Sequence, residues 1–271
     1  FLALNSANLP EPTISPNAAE QADDYFNTVL YTGTGATQSI TVGFQPDWVF
    51  VKRRAGVQEP SVTDSVRGVN AQLRPASTAA ESAQTDALTS FDANGFTLGA
   101  DATNRSYNYY TDAHVAWNWK AGGTAVSNTD GSITSQVSAA PDAGFSIVSY
   151  TGTGSAGATV GHGLGVVPEL LIIRRRDPAE AWPVWVGGGG FSNTQYLRLN
   201  GTNAVDTATT LFNSTTPTSS VVTLGTGDFV NTNTKNYIMY AFASVESYCK
   251  VGSYVGNGNA DGTFVFTGFR P

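Results

Sequence analysis

The sequence predicts an all-β protein made of two tandem homologous β-sandwich modules, jelly-roll-like in design, with turns rich in Gly, Asn and Thr. Three observations predict this fold. Apolar residues alternate with polar ones along short segments, turn residues separate these segments, and several motifs occur twice in the same order. The 271 residues suffice for two modules of ordinary size.

The internal repeat is the strongest feature of the sequence. Four blocks of the first half recur in the same order in the second half: 26–35 with 145–154, 43–54 with 165–176, 96–99 with 222–225, and 115–120 with 238–243. The first pair reads FNTVLYTGTG and FSIVSYTGTG, and the second reads GFQPDWVFVKRR and GVVPELLIIRRR. Because solenoid repeats are shorter, roughly 20–50 residues, each copy is expected to be a domain in itself.

The positions of these blocks divide the chain into five predicted parts. They are a short extended N-terminal arm (1–24), module 1 (25–123), a linker (124–142), module 2 (143–247), and the start of a third repeat or a terminal strand segment (248–271). Pro10, Pro12 and Pro16 exclude the arm from a central strand, because proline cannot donate a ladder hydrogen bond. Within the linker, residues 132–137 (SITSQV) predict a linking strand.

Individual elements follow from local patterns. The apolar runs 48–51 (WVFV) and 170–173 (LLII) predict central strands covered on both faces. Residues 115–120 (VAWNWK) alternate and predict a half-buried strand. Asn94-Gly95 is typical of a tight hairpin turn. Thr78 and Glu81 have capping-box spacing before an alanine-containing stretch, which predicts a short surface helix over 77–88.

Charge and composition exclude several classes of protein. The chain has 14 basic and 21 acidic residues, and only 13% of its residues are charged. An acidic chain of this kind lacks the basic footprint of a nucleic-acid binder. No apolar stretch approaches the roughly 18 residues of a bilayer span, so no membrane insertion is expected. Residues 1–4 (FLAL) carry neither an initiator Met nor a basic n-region, so we expect a start inside a longer or trimmed polypeptide.

The residues that carry chemistry are few and scattered. Cys249 is the only cysteine, which excludes an intrachain disulfide. His114 and His162 stand at non-equivalent positions of the two copies, and no nucleophile elbow or paired metal-binding histidine motif is present. We therefore expect no catalytic residues, no metal site and no cofactor. The alternative, a polysaccharide-degrading enzyme, would need two convergent carboxylates that the repeat does not supply.

Taken together, the motifs resemble a known family. YTGTG, GFQPDWVFVKRR, DSVRG at 64–68, TSFDANGFTLG at 89–99 and VAWNWKAGG at 115–123 are similar to a repeated β-domain of virion-associated, tail-fibre-like proteins of tailed bacteriophages, especially marine phages. The resemblance extends from residue 9 to the C-terminus. It implies a location on the tail or outer surface of a phage particle. The implied partners are other virion proteins and further copies of the chain, as a trimer if it sits in a fibre.

The expected function is therefore that of a non-enzymatic structural component of a virion, a tail fibre or another exposed tail protein involved in host attachment. The alternatives are a capsid-decoration protein and a glycan-binding receptor-recognition module. Aromatic faces stack on sugar rings, and arginine binds anionic groups, although aromatic residues also fill cores and arginine stems also cover strand ends. The candidate glycan or partner contacts are Tyr107, Tyr109, Tyr110, Trp182, Trp185, Arg53, Arg54, Arg175 and Arg176.

Overall fold

The computed structural model describes residues 12–15, 18–102, 105–177 and 180–270. The strands of the first half are β1 (Phe26–Thr32), β2 (Gln38–Thr41), β3 (Trp48–Arg53), β4 (Ser61–Asp64), β5 (Ala71–Gln72), β6 (Ser82–Ala83), β7 (Leu88–Asp92), β8 (Gly95–Leu98) and β9 (Ala113–Trp119). Those that follow are β10 (Val126–Asn128), β11 (Ser135–Ala140), β12 (Phe145–Thr151), β13 (Ala158–Gly161), β14 (Leu170–Arg175), β15 (Pro183–Val186), β16 (Gln195–Arg198), β17 (Asp206–Thr207), β18 (Val221–Leu224) and β19 (Asn236–Phe242).

Helices are short and few in the described residues. They are α1 (Thr209–Phe212), α2 (Asp228–Asn231) and two 3-10 turns (Ala22–Asp24 and Gly187–Gly189). None of these helices has the length and apolar character needed to cross a bilayer. The prediction of a predominantly β protein built from several antiparallel sheets is confirmed.

The strand order of the first half recurs in the second. One sheet has the order β1-β9-β3-β4, and the order β12-β19-β14-β15 lies within an eight-stranded sheet. The registers also agree, because Phe26 pairs with Trp119 as Phe145 pairs with Phe242. The smaller sheets are β2-β8-β7, β13-β18 and the two-stranded β5-β6. The sequence blocks that match therefore occupy equivalent places in the sheets.

Three apolar clusters separate these sheets into four layers. The first cluster lies between β2-β8-β7 and the sheet of β1, β9 and β3, and it includes Phe96 and Val49. The second lies between the two larger sheets and includes Trp48 and Tyr240. The third lies between the eight-stranded sheet and β13-β18. Each larger sheet thus buries both of its faces, one on its own smaller sheet and one on the other half.

This layering explains which strand predictions were confirmed. β3 and β14 are covered on both faces, as their apolar runs predicted. The prediction that residues 115–120 form a half-buried strand was wrong, because Ala116 and Asn118 are fully buried in β9. The Nδ2 of Asn118 donates to the carbonyls of Asn27 at 3.0 Å and Ala116 at 3.2 Å. A polar residue on a strand does not mark a solvated face when a second sheet covers it.

The predicted hairpin is confirmed: Ala93 and Asn94 form the turn between β7 and β8, and Gly95 begins β8 opposite Asp92. Gly95 has a φ of 156°, and a Cβ atom there would lie 1.9 Å from the carbonyl oxygen of Ile40. Only glycine fits this position, since β2 passes directly beside the turn.

The predicted helix over 77–88 is absent. These residues hold β6 and the start of β7, joined by irregular backbone. The Glu81 side chain, which a capping box would direct to the helix start, instead binds Arg67 and Arg176. The carbonyls of Thr78 and Ala79 accept hydrogen bonds from Arg174. Contacts with the other half replace the intrahelical hydrogen bonds.

The predicted linker and termini take specific forms. Residues 124–142 contain β10 and β11, and β11 pairs along the outer edge of β12. Within the predicted arm, residues 1–11, 16 and 17 lie outside the described residues. Ile14 is fully buried and packs with Tyr25, Ala140 and Ala143. Beyond a bridge between Val245 and Cys249, the described residues 250–270 form no strand.

Candidate functional site

The candidate site is the contact between the two larger sheets, which we call the inter-repeat interface. Trp48 of β3 lies at its centre and is 6% exposed. Its ring centroid lies 4.5 Å from that of Trp119, 4.7 Å from that of Tyr240 and 5.8 Å from that of Phe145. Tilted aromatic pairs of this kind add roughly 0.5–1.5 kcal/mol each beyond their area burial. The interface is therefore a packed aromatic core.

A buried ionic network adjoins these rings. The Arg67 guanidinium and the Asp64 carboxylate are both fully buried, with Nε and Oδ2 2.6 Å apart. Tyr240 of the second half donates its hydroxyl to Asp64 Oδ2 at 2.7 Å, and Arg67 Nη2 lies 3.3 Å from the same hydroxyl. Arg67 Nη1 also binds Glu81 at 2.9 Å. The end of β4 with the turn after it, the residue before β6, and strand β19 of the second half thus share one buried polar cluster.

Glu81 extends the network to the second half. Its two carboxylate oxygens accept from Arg176 Nε at 2.8 Å and from Arg176 Nη2 at 2.7 Å. Burial disfavours the charged carboxylate, but the hydrogen bonds and charges of Arg176 and Arg67 outweigh this effect and lower the pKa of Glu81. Glu81 therefore stays ionised and bridges two cations from different halves.

The irregular segment 77–81 docks on the second half through backbone carbonyls. Trp182 Nε1 donates to the carbonyl of Ser77 at 3.1 Å. Arg174 Nη2 donates to Thr78 at 2.8 Å and to Ala79 at 2.6 Å. Burial, together with the nearby charge of Arg175, outweighs the opposing charge of Glu180 and lowers the pKa of Arg174 to about 10, so the side chain remains cationic near neutral pH. The backbone carbonyls of this segment therefore supply hydrogen-bond acceptors to a buried arginine and a buried tryptophan of the second half.

An asparagine closes the YTGTG turn of the first half. Asn108 accepts through Oδ1 from the backbone N–H of Thr34 at 2.8 Å. Its Nδ2 donates to the carbonyls of Ala36 and Gly99, which joins the turn to the end of β8. The side chain is fully buried. One amide thus fills the hydrogen-bonding needs of three backbone groups.

The second half repeats this arrangement with Asn231. Its Oδ1 accepts from the backbone N–H of Thr153 at 2.8 Å, and its Nδ2 donates to the carbonyls of Ser155 and Gly225 at 2.9 and 2.8 Å. Asn231 is also fully buried. The duplicated motifs YTGTG and TLG are therefore held together by the same side chain in both halves.

Three of the predicted aromatic contacts lie inside the protein. Trp182 is 1% exposed and Tyr107 is 0% exposed, and the Tyr107 hydroxyl bonds to Thr63 Oγ1 at 2.7 Å. The expected sugar contact by these two residues is corrected, because a fully packed ring offers no face to a ligand. Trp185 is 3% exposed and is one of the residues that line a groove of about 480 Å³. The backbone of Gly187 covers its ring.

The remaining predicted contacts divide between the surface and the interface. Tyr109 lies under the guanidinium groups of Arg53 and Arg105, which are 4.2 and 5.1 Å from its ring centroid. Arg53 also pairs with Asp112. Tyr110, beside this stack in sequence, is 66% exposed.

The other three arginines predicted as contacts have different surroundings. Arg54 is exposed, whereas Arg175 is 7% exposed and lies 3.8 Å from Glu180. Arg176 belongs to the inter-repeat interface through Glu81. The equivalent basic runs of the two copies thus do not form equivalent sites, because only the second run faces the other half.

Both histidines are buried and bonded to backbone. His114 Nδ1 lies 2.9 Å from the carbonyl of Asp112, and His162 Nδ1 accepts from the N–H of Leu164 at 3.2 Å. Burial lowers the pKa of each imidazole. Across the described residues, no three His, Cys, Asp or Glu side chains are grouped so as to hold a metal ion.

Sequence reasoning missed the residues that build this interface. Arg67 and Asp64 belong to DSVRG, a motif that the first copy has and the second lacks. The presence of DSVRG in only one copy was the sequence signal that could have indicated a contact between the copies. Asn108 and Asn231 escaped notice because they follow the TLG motif at different distances, nine residues after Gly99 and six after Gly225.

The fold and the site define a predominantly β protein whose two halves share a buried aromatic and ionic interface. The chain belongs to a family described as Domain of unknown function (DUF7483), which is matched over residues 21–271. No curated protein and no solved structure matches the chain.

Proposed function

We propose that the chain is a non-enzymatic structural component of a bacteriophage virion, a tail fibre or another exposed tail protein. It consists of two copies of one β-sandwich module, 25–123 and 143–247, connected by residues 124–142. The resemblance of its repeated motifs to virion-associated proteins supports the location. The chain acts through its shape and its contacts with other virion proteins.

The inter-repeat interface carries this proposal. Two-domain enzymes commonly place an open cleft between their domains, because a reaction needs access to substrate. Here the space between the halves is filled by Trp48, Phe145 and Tyr240, and the Arg67 charge is fully buried beside them. A rigid joint between repeated modules suits a component that holds its form in a particle.

The test is the position of the chain on particles of the phage that encodes it. Immunogold electron microscopy with antibodies against the purified chain should label the tail or outer surface of intact particles. Labelling confined to the capsid would favour the capsid-decoration alternative. Unlabelled particles, with the protein found only in the infected-cell lysate, would contradict the proposal.

A glycan-binding role is the second candidate, supported by the surface around Tyr110. This ring is 66% exposed and follows Tyr109, whose ring is stacked under Arg53. An exposed tyrosine beside arginine suits an acidic or neutral sugar. Tyr110→Ala should abolish binding to host-cell polysaccharide, while Tyr254→Ala, at another exposed tyrosine, should not. Equal binding by both variants would exclude this surface.

A further inference from the structure

The outer edge of β1 is open among the described residues. β1 is the first strand of its sheet and pairs only with β9. Natural sheets protect such edges with lysine, proline or bulges, because unpaired backbone groups recruit other strands. β1 has the sequence FNTVLYT, without charge or proline, and its Leu30 side chain is 63% exposed. Nothing in its own sequence protects this edge.

The second half shows what the repeat places at this position. β12, the equivalent of β1, carries β11 along its outer edge, with Val137 opposite Val148 and Ala140 opposite Phe145. The corresponding positions of β1 are Val29 and Phe26. An antiparallel strand on this edge is therefore already part of one copy of the repeat.

The start of β1 lies beside the inter-repeat interface. An apolar cavity of about 180 Å³ lies at the start of β1, and its lining includes Phe26, Trp119, Phe145 and Phe242. Phe145 and Phe242 belong to the buried cluster between the halves. A strand added along β1 would place its side chains over this cavity, on the face that carries Phe26 and Leu30. It would extend an existing buried contact.

The same chain carries a segment suited to this edge. Residues 262–267 (GTFVFT) form no strand, are uncharged, and are rich in the β-branched and aromatic residues that favour strands. Phe264 and Phe266 are 86% and 79% exposed, and strand geometry places both on one face. Two aromatic side chains on one face match an aromatic-lined cavity beside an open strand edge.

We infer that residues 262–267 of one copy of the chain pair antiparallel with the outer edge of β1 in a second copy. Main-chain hydrogen bonds would supply affinity, and Phe264 and Phe266 would supply specificity. Because donor and acceptor are different surfaces, each copy can use both at once. Such heterologous contacts generate rings if the rotation closes and filaments if it does not. The inference deepens the proposed structural function and rests on it.

Sedimentation of the full chain over a concentration series tests the contact. The wild-type protein should self-associate. Leu30→Lys and the double variant Phe264→Ser/Phe266→Ser should each weaken association at least about tenfold, which corresponds to about 1.4 kcal/mol. Val57→Lys, at a fully exposed loop position, is the matched control and should associate like the wild type. Circular dichroism and thermal unfolding establish that each variant is folded. A monomeric wild-type protein at high concentration would overturn the inference.

Cross-linking identifies the two surfaces directly. In a Cys249→Ser background, Leu30→Cys and Phe264→Cys chains are mixed and oxidised, with Phe266→Cys as a second donor position one strand period away. A disulfide between Leu30→Cys and a donor variant is expected. A Leu30→Cys homodimer would mean that two β1 edges pair, and the absence of any cross-link would mean that the edge stays open; either result overturns the inference.

This outcome is separable from that of the proposed function. Virions labelled by the antibody, together with a chain that does not self-associate, would leave the structural role standing and remove only this contact. Unlabelled virions would remove the proposed role whatever the sedimentation result.

Discussion

At the residue scale, a few buried polar side chains account for the duplicated motifs. Asn108 and Asn231 each accept from the YTGTG backbone through Oδ1 and donate through Nδ2 to two carbonyls, one just after the turn and one of the glycine in the TLG motif. Tyr31 and Tyr150 stack on His114 and Tyr237 in the same geometry, with centroids 5.1 and 5.2 Å apart. Repetition of these contacts explains why the YTGTG motif occurs twice. In each copy the backbone N–H of its second threonine donates to the asparagine side chain, and that of its last glycine donates to the asparagine main-chain carbonyl.

Asn108→Ala and Asn231→Ala should each lower the free energy of unfolding by about 2–4 kcal/mol. Each substitution removes three hydrogen bonds to the backbone, which contribute about 0.5–1.5 kcal/mol each, and leaves the carbonyl of a buried glycine, Gly99 or Gly225, without its partner, at a cost of about 1–3 kcal/mol. Urea denaturation of the two variants measures the loss. Asn233→Ala is the matched control, because Asn233 is exposed, and it should change stability by under about 0.5 kcal/mol. Equal stability of all three variants would contradict the assigned role.

The buried histidines predict a pH dependence. Because burial lowers the pKa of His114 and His162 below the ordinary 6.5, the unfolded chain binds protons first as pH falls. The contribution of the two neutral histidines to the free energy of unfolding is fully present above pH 6.5. It decreases as the pH falls from there toward the lowered pKa values of the folded state. The slope reaches up to about 1.4 kcal/mol per pH unit for each histidine.

Chemical denaturation between pH 7 and pH 5 measures this slope, and His114→Phe should reduce it. The substitution keeps a ring stacked on Tyr31, as Tyr237 does on Tyr150 in the second half. An unchanged slope in the variant would show that His114 does not titrate on unfolding.

At the element scale, the sequence predicted what local patterns determine. The apolar runs of β3 and β14 identified central strands, and Asn94-Gly95 identified a hairpin, because each needs only its own residues. The segment 77–88 was mispredicted as a helix, since its capping-box residue Glu81 is taken by Arg67 and Arg176. Local propensity cannot register partners that lie about a hundred residues away in the chain.

The candidate site was less predictable than the strands for the same reason. Arg176 and Trp182 were singled out as ligand contacts, but they bind Glu81 and Ser77 of the other half. Arg67, the most buried cation of this network, was not selected because its role depends on Tyr240 and Glu81. The residue types indicated that these side chains can bind a partner. Only the packing of the two halves showed that the partner lies within the same chain.

Arg67→Met should destabilise the protein by about 3–5 kcal/mol, because it leaves Asp64 and Glu81 near each other without their shared cation. Thermal unfolding compares this variant with Arg74→Met, which removes a partly exposed ion pair with Glu59 and should cost under about 1 kcal/mol. The triple variant Asp64→Asn/Arg67→Met/Glu81→Gln should regain part of the loss. Equal costs for Arg67→Met and Arg74→Met would contradict the network.

At the scale of the whole molecule, the account depends on the two halves behaving as one body. The cluster between the larger sheets contains Trp48, Phe145, Ile147 and Tyr240, all nearly excluded from water. Because these apolar side chains are buried between the two halves, the unfolding of one half would expose apolar surface of the other. Duplicated modules without such an interface would melt independently, as domains joined by linkers do.

Differential scanning calorimetry of the full chain at pH 7 tests this claim most directly. The account predicts one transition in which the calorimetric and van't Hoff enthalpies agree, with a ratio of about one. Two transitions, or a ratio of about two, would show that the halves unfold separately and would contradict it.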